Sequence, residues 1–395
     1  MSPSVTLRLS PREFWALFVA LYLLAAVPVL GSVMLPLVDY PNHLARMALL
    51  ARLPHDPVLQ RFYALAWRPI PDLAMDAIVP LLLRAMPLVA AGKVFVLMVF
   101  ALLAGGAAAL HRVVFRRWSA WPLLAFLVLY NRILLWGMLN DLFGLGLAFC
   151  ALATAIAMRG RGVGLRLALG TAFAVVLYFA HLQALGVYAV LWLGYEAGAA
   201  LRERPGLGAA VHRLVVAALP LAVPAALLLS GGASAGGGVT FGRPWRKLDL
   251  LFSVFDLYHR PFDVACFVLV VAALAVAYWR RWIGFAPSLG MPMILLFIAY
   301  LAMPTDVLGA TGVDRRLPLA LALLVCAGTA WAGPRPRLER GLLGAALAMF
   351  VLRLAAVAVS WQASDREYRA LIAGLDRIPR GSLVAVAYPP PAITT

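Results

Sequence analysis

The chain has 395 residues, of which 64% are hydrophobic and 13% charged, and a mean hydropathy of +0.91. Soluble globular proteins are about half apolar and about a quarter charged, so a soluble enzyme, a disordered chain and a disulfide scaffold are all excluded. The formal charge of +17 would point to nucleic acid in a soluble protein, but here it falls in short arginine-rich loops, the mark of the cytoplasmic side of a membrane protein.

One bilayer crossing takes about 20 apolar residues. Apolar runs lie near 14–37, 94–110, 119–134, 142–158, 167–181, 184–200, 214–230, 264–279, 288–303, 317–333 and 341–360. They predict an all-α polytopic membrane protein of about 11 transmembrane helices. The first run has no small-residue cleavage site and is expected to be a helix that stays, not a cleaved signal. Basic segments at 8–12, 111–117, 159–166, 202–213, 280–281 and 335–340 hold 16 arginines and two acids, Glu203 and Glu339. Placing all six inside puts the N-terminus in the cytoplasm and the C-terminus outside. The segment Asp76–Lys93 contains Pro80, Arg84 and Pro87. It is expected to be a helix in the outer interface, with ten or thirteen spans as the alternatives.

The expected organisation is a membrane domain over 1–360, with outer loops 38–93 and 231–263, and a short outer tail over 361–395. Thirteen of the 17 acids fall on the outer side. Acids contribute little to topology, so their clustering places the work of the protein on that face.

The first outer loop opens Val38-Asp39-Tyr40-Pro41-Asn42-His43. Pro41 is read as a break and Asn42 as the cap of a helix His43–Leu53. Asp39, a carboxylate at the rim of the hydrocarbon, is suited to act as a base, with His43 beside it. Asp56 before Pro57 and Asp72 after Pro71 read as turn residues. The next outer turn holds Asn131, Arg132, Asn140 and Asp141. Polar groups at such depth need partners: Arg132 and Asp141 either pair with each other, or leave Arg132 for phosphate and Asp141 for a metal or an acceptor hydroxyl. His181-Leu182-Gln183 forms the third turn, with His181 either a phosphate partner or bonded to backbone.

The stretch Gly231–Gly238 reads as a flexible linker. Arg243-Pro244-Trp245-Arg246-Lys247 follows it, and Leu248, Leu251, Phe252 and Phe255 then form one apolar helix face. An amphipathic surface helix is expected, its leading cations placed to hold lipid phosphate. Arg315 and Arg316, beside Asp314, defy the inside bias and call for a partner. Arg353, inside an apolar run, faces either the interface or a polar cavity. In the tail, Ser364 and Glu367 have capping-box spacing, and Ser382–Tyr388 reads as a strand before Pro389–Pro391. There is no Walker loop, dinucleotide fingerprint, HExxH or nucleophile elbow.

An inside N-terminus, one span, and a long outer loop that opens on an acid and carries interfacial helices resemble the GT-C glycosyltransferases, integral-membrane enzymes that use polyprenyl-phosphate sugars. The segments Asp39–His43, Asn140–Leu147 and Asp314–Pro318 are also similar to bacterial membrane proteins of this type. The resemblance implies a polyprenyl-phosphate sugar donor, a glycan or lipid acceptor, surrounding membrane lipids and a bacterial inner-membrane location, with no nucleic acid. It implies that Asp39 is the base toward the acceptor hydroxyl or a ligand of a divalent cation (Mg or Mn), with His43 and Asp141 in the catalytic set. Its lipid-phosphate clamp corresponds in residue type to Arg132, His181, Arg243, Arg315 and Arg316. The chain departs in having His43, not a second acid, near Asp39, and in its short tail. The expected function is sugar transfer on the outer, periplasmic side with inversion. The alternatives are a transporter or lipid flippase, which calls for repeats and broken helices, and a non-catalytic scaffold of an envelope complex.

Overall fold

The computed structural model describes residues 8–230, 238–307, 309–379, 382, 384 and 385. Most of the glycine-rich linker, the greater part of the expected strand Ser382–Tyr388 and Pro389–Pro391 lie outside these residues. The protein is a helical bundle. In chain order the helices are α1 (Pro11–Gly31), α2 (Tyr40–Arg52), α3 (Ala74–Leu82), α4 (Leu88–Phe115), α5 (Arg132–Trp136), α6 (Leu139–Ala157), α7 (Val163–Ala180), α8 (Leu182–Glu203), α9 (Leu207–Ala218), α10 (Ala222–Ser230), α11 (Arg246–Phe252), α12 (Arg260–Trp279), α13 (Gly290–Ala302), α14 (Leu317–Gly328) and α15 (Pro336–Leu375). Among the described residues, eight helical segments are long and apolar enough to cross a membrane, α9 and α10 counting as one. The other three expected spans fall on shorter elements: Trp121–Trp136, α13 and α14.

Local chemistry explains the boundaries. Ser10 and Glu13 form a reciprocal cap at the start of α1, with Pro11 in the first turn. The helix ends at Gly31, well before Leu37, and the Lys93 ammonium donates to the terminal carbonyls of Leu30 and Ser32. At the core α6 packs along α4. A Cβ on Gly106 would sit 2.7 Å from the Gly146 carbonyl oxygen, and one on Gly146 would sit 2.6 Å from the Leu102 backbone. Small residues let membrane helices approach this closely. The hydrophobic window of α6 is 72% buried, against 17% for α9–α10 and for α12, which therefore stand at the periphery.

Connections expected on one side do meet at one end. Leu73 N–H bonds the Phe179 carbonyl, Gln183 the Val313 carbonyl, and Val33 N–H the Asp365 carboxylate. At the opposite end Leu9 N–H bonds Trp118, Arg202 bonds Pro287, and Trp121 Nε1 donates to Glu339 at 2.9 Å. The beginning of α1 and the Asp365 stretch of α15 thus lie at opposite ends.

Four expectations are corrected. The segment Asp76–Lys93 is not one helix: α3 stops at Leu82, and Pro87 begins α4, which carries Lys93. Asn42 is not a cap, because α2 starts at Tyr40 with Pro41 in its first turn, where a missing N–H costs nothing. Ser364 is not a cap either. No glycine or proline interrupts 345–373, so α15 runs straight through and Ser364 bonds the Ser360 carbonyl in mid-helix. The expected run 119–134 is broken, with a 3-10 stretch Trp121–Val128, a turn, and then α5. Asn131 seals the break. Its Oδ1 accepts from the amides of Ile133 and Leu134, and its Nδ2 donates to the carbonyls of Val128 and Leu129. Irregular backbone at membrane depth survives only when protein satisfies it in this way.

The surface helix expected at 248–255 is the shorter α11. Phe252 and Phe255 are buried as the periodicity requires, but Leu248 is exposed and Lys247 is buried instead. In the first loop, Arg46 of α2 pairs with Asp76 of α3 at 2.6 Å. Burial pushes the Asp76 carboxyl above its ordinary range, and Arg46 pulls it partly back. Arg46→Gln removes the opposing effect, so the cost appears only when Asp76 ionises. We expect almost no loss of stability near pH 4 and a loss of about 1 kcal/mol at pH 7, because Arg46 is half exposed. Melting curves across that range check it; an equal loss at both pH values sinks it.

Candidate functional site

Six of the eight expected site residues fall in two groups at one end of the bundle, joined by the turn Trp136-Gly137. The first group is Asp39 and His43. The α5 carbonyls of Leu135 and Trp136 accept from the amides of Val38 and Asp39, at 2.9 and 3.1 Å. Gly137 has φ +83°, and a Cβ there would lie 2.9 Å from Asp39 N. Only glycine allows this turn beside the start of α2. His43 Nε2 donates to the Gly137 carbonyl at 3.2 Å, one turn along from Asp39. The Asp39 carboxylate is half-buried and makes no hydrogen bond or ion pair among the described residues.

The second group is Asp141, His181 and Arg316, which touch directly. Asp141 is in the first turn of α6, and His181 joins α7 to α8. His181 Nδ1 lies 3.2 Å from Asp141 Oδ1, and its Nε2 lies 2.9 Å from Arg316 Nη1. A guanidinium only donates, so Nε2 accepts from Arg316, while Nδ1 faces Asp141 and also lies 3.3 Å from the Gln183 N–H. The imidazole thus bridges the buried Asp141 carboxylate and the buried Arg316 guanidinium. Arg316 also reaches the Thr311 carbonyl, while its Nε is buried with no hydrogen-bond partner among the described residues. Arg315, in the same turn, stacks on Trp136 with its guanidinium 5.1 Å from the ring centre. Trp136 therefore contacts both groups.

Two residues not picked from the sequence as site residues build this end. Lys247 of α11 donates to Asp314 at 2.7 Å and to the Met303 carbonyl at 2.6 Å, with the Thr305 hydroxyl on the same carboxylate at 3.2 Å. The pair anchors the 3-10 turn Asp314–Arg316 that presents both arginines. Lys247 is thus spent inside the protein and is not a contact for lipid phosphate. Asp72 has a left-handed backbone (φ +73°), its carbonyl is held by Asn140 Nδ2 at 2.9 Å, and its exposed carboxylate sits 4.0 Å from His181 Nε2. It makes the turn that Pro71-Asp72 predicts and also places a charge at the mouth of the Asp141–His181–Arg316 chain. Nothing in the sequence signals that second role.

Other expectations change. Arg132 does not meet Asp141. It forks onto Asp256 at 2.7 and 2.9 Å and donates to the Leu257 carbonyl, so it is neither paired as expected nor free for phosphate. Asp141 is taken by His181. Arg243 is exposed, stacked on Trp245, and touches none of the other site residues among the described contacts. Arg353, expected at the interface or in a polar cavity, is 3% exposed. It pairs with Asp263 at 3.1 Å and donates to the carbonyls of Phe255 and Tyr130.

A divalent cation needs several hard oxygen ligands. Among the described residues no three His, Cys, Asp or Glu side chains converge, and His43 beside Asp39 is turned to a carbonyl. The donor set around Asp39 does not fit a metal site. No protein-family model, curated protein or solved structure matches the chain.

Proposed function

We propose that this end of the bundle transfers a sugar from a polyprenyl-phosphate donor to a hydroxyl acceptor, in the manner of the GT-C enzymes that the sequence resembles, at the periplasmic face of a bacterial inner membrane. The observation that carries the proposal is the Asp141–His181–Arg316 chain, with Arg315 in the same turn stacked on Trp136, whose carbonyl accepts from the Asp39 N–H. Asp39 takes the proton of the acceptor hydroxyl. The acceptor oxygen attacks the anomeric carbon, and the bond from that carbon to the phosphate oxygen breaks. The phosphate leaves on its lipid with the electron pair, and the two arginines meet its charge. A planar guanidinium suits a phosphate, and charge already in place costs no reorganisation during reaction. Asp141 orients His181, and His181 orients Arg316. With one base in view the product is inverted.

A transporter calls for broken helices that offer free backbone groups to a substrate. At the break before α5, Asn131 and Arg353 occupy the carbonyls of Val128, Leu129 and Tyr130.

The test is transfer of radiolabelled sugar from polyprenyl-phosphate donors in membranes at equal expression. Arg316→Gln is expected to lower transfer about 10- to 100-fold, the worth of one charge-assisted hydrogen bond, while Arg243→Gln leaves it near wild type. Equal losses in both, or no transfer by the wild type across the donor panel, overturns the proposal.

A further inference from the structure

The opposite end of the bundle has its own ionic cluster, which sugar transfer does not use. Glu196 of α8 is 1% exposed. Around it stand Arg159 at 3.1 Å, Arg213 at 3.5 Å and Arg166 at 3.9 Å. Arg159 and Arg213 also hold Glu203, at 3.4 and 2.7 Å. Three cations thus share two acids. The surplus is not evenly placed. The Arg166 side chain has only the loose contact to Glu196, and Arg213 Nη1 and Glu196 Oε1 are buried without a hydrogen-bond partner among the described residues. With three arginines to two acids the cluster keeps a net positive charge, and Arg213 Nη1 is a buried donor it can offer to an anion.

Arg166 also lines an open cleft between α6, α7, α8 and α9. Its other walls include Leu167, Gly170 and Phe173 of α7 and Trp192 of α8. Residues 166, 170 and 173 share a face of α7 and span about 10 Å along it. The walls therefore change from cationic to apolar in the direction of the membrane interior. α7 and α9–α10 are 22% and 17% buried over their hydrophobic windows, so the cleft lies where lipid can reach it.

We propose that this is a binding site for an anionic phospholipid, its phosphate on Arg166 and Arg213 and the first part of an acyl chain in the cleft. Charge complementarity and the change of wall chemistry select an amphiphile over a free anion. Basic pockets between membrane helices hold anionic head groups in this way. The site is independent of the sugar-transfer proposal.

The experiment measures thermal stabilisation of the full chain, purified in neutral detergent, on titration with phosphatidylglycerol, phosphatidylcholine or inorganic phosphate. Phosphatidylglycerol is expected to stabilise at lower concentration than phosphatidylcholine, and inorganic phosphate not to reproduce the effect. Arg166→Gln is expected to raise the half-saturating phosphatidylglycerol concentration roughly fivefold, the worth of one arginine near a lipid surface. Ala155→Phe, which fills the cleft and leaves the cations in place, is expected to weaken phosphatidylglycerol as well, and it decides the matter if Arg166→Gln does not fold. Arg316→Gln, at the other end, keeps the response. Equal stabilisation by both lipids, a full effect from inorganic phosphate, a wild-type response in Ala155→Phe, or a response lost in Arg316→Gln overturns the proposal.

Discussion

Replacing Arg353 by methionine is expected to cost about 3–5 kcal/mol of folding stability. Arg353 and Asp263 are 3% and 2% exposed, and the pair joins the middle of α15 to the first turn of α12. The guanidinium also closes the carbonyls of Phe255 and Tyr130 and lies 4.6 Å above the Phe255 ring. Without it, a carboxylate remains buried with only backbone donors such as Leu257 N–H at 3.0 Å. The penalty is that of a stranded charge, not the net worth of the pair. The double variant Arg353→Met/Asp263→Asn, which removes the stranded charge, is therefore expected to recover at least half the loss. Reversible unfolding in detergent measures both. A single variant within about 1 kcal/mol of wild type, or a double variant no better than the single, counts against this account.

Asp39→Asn is expected to lower sugar transfer about 10²- to 10⁴-fold, the range for loss of a general base, at unchanged thermal stability. The two outcomes separate because the structure uses Asp39 only through its backbone. Its N–H bonds the Trp136 carbonyl and its C=O accepts from His43 N–H. Asparagine keeps the size of the side chain and both backbone bonds and removes only the basic carboxylate. A melting point that falls along with activity would make Asp39 structural, and transfer within threefold of wild type would remove it from the chemistry. This prediction rests on the proposed function, whereas that for Arg353 does not.

The architecture was legible where the signal is local or cumulative. Apolar runs of membrane length and arginines in alternate connections depend on neighbouring residues, and the connections do gather at two ends as the arginines imply. Pairings between distant segments were not legible. Asp141 and His181 are 40 positions apart, and Arg316 lies 135 positions beyond His181. No periodicity links them. Arg132 illustrates the failure. Asp141, nine positions away, is its nearest acid in sequence, but Asn131 closes the turn so that Arg132 reaches Asp256. Lys247 looked like one of a run of surface cations, and only the fold reveals the buried Asp314 that it serves. Spacing also misled at Ser364, where a capping pattern occurs inside a helix that nothing interrupts. Asp39 stands out in the sequence because a carboxylate leaving the first apolar run is conspicuous in so apolar a chain.

The length of α15 has a mechanical consequence. Its 40 residues make a rod of about 60 Å. Near one end Glu339 takes the Trp121 indole N–H, and near the other Asp365 takes the Val33 amide at 2.8 Å. The two anchors are 26 residues apart on an uninterrupted helix, so their angular phase is set by the helix itself. One residue added between them would turn one anchor against the other by about 100° and lift it by about 1.5 Å. Only one could then stay engaged. The helix is a torsion bar that gauges the distance between the arginine-rich end and the Asp39 end, and neither end can twist without the other.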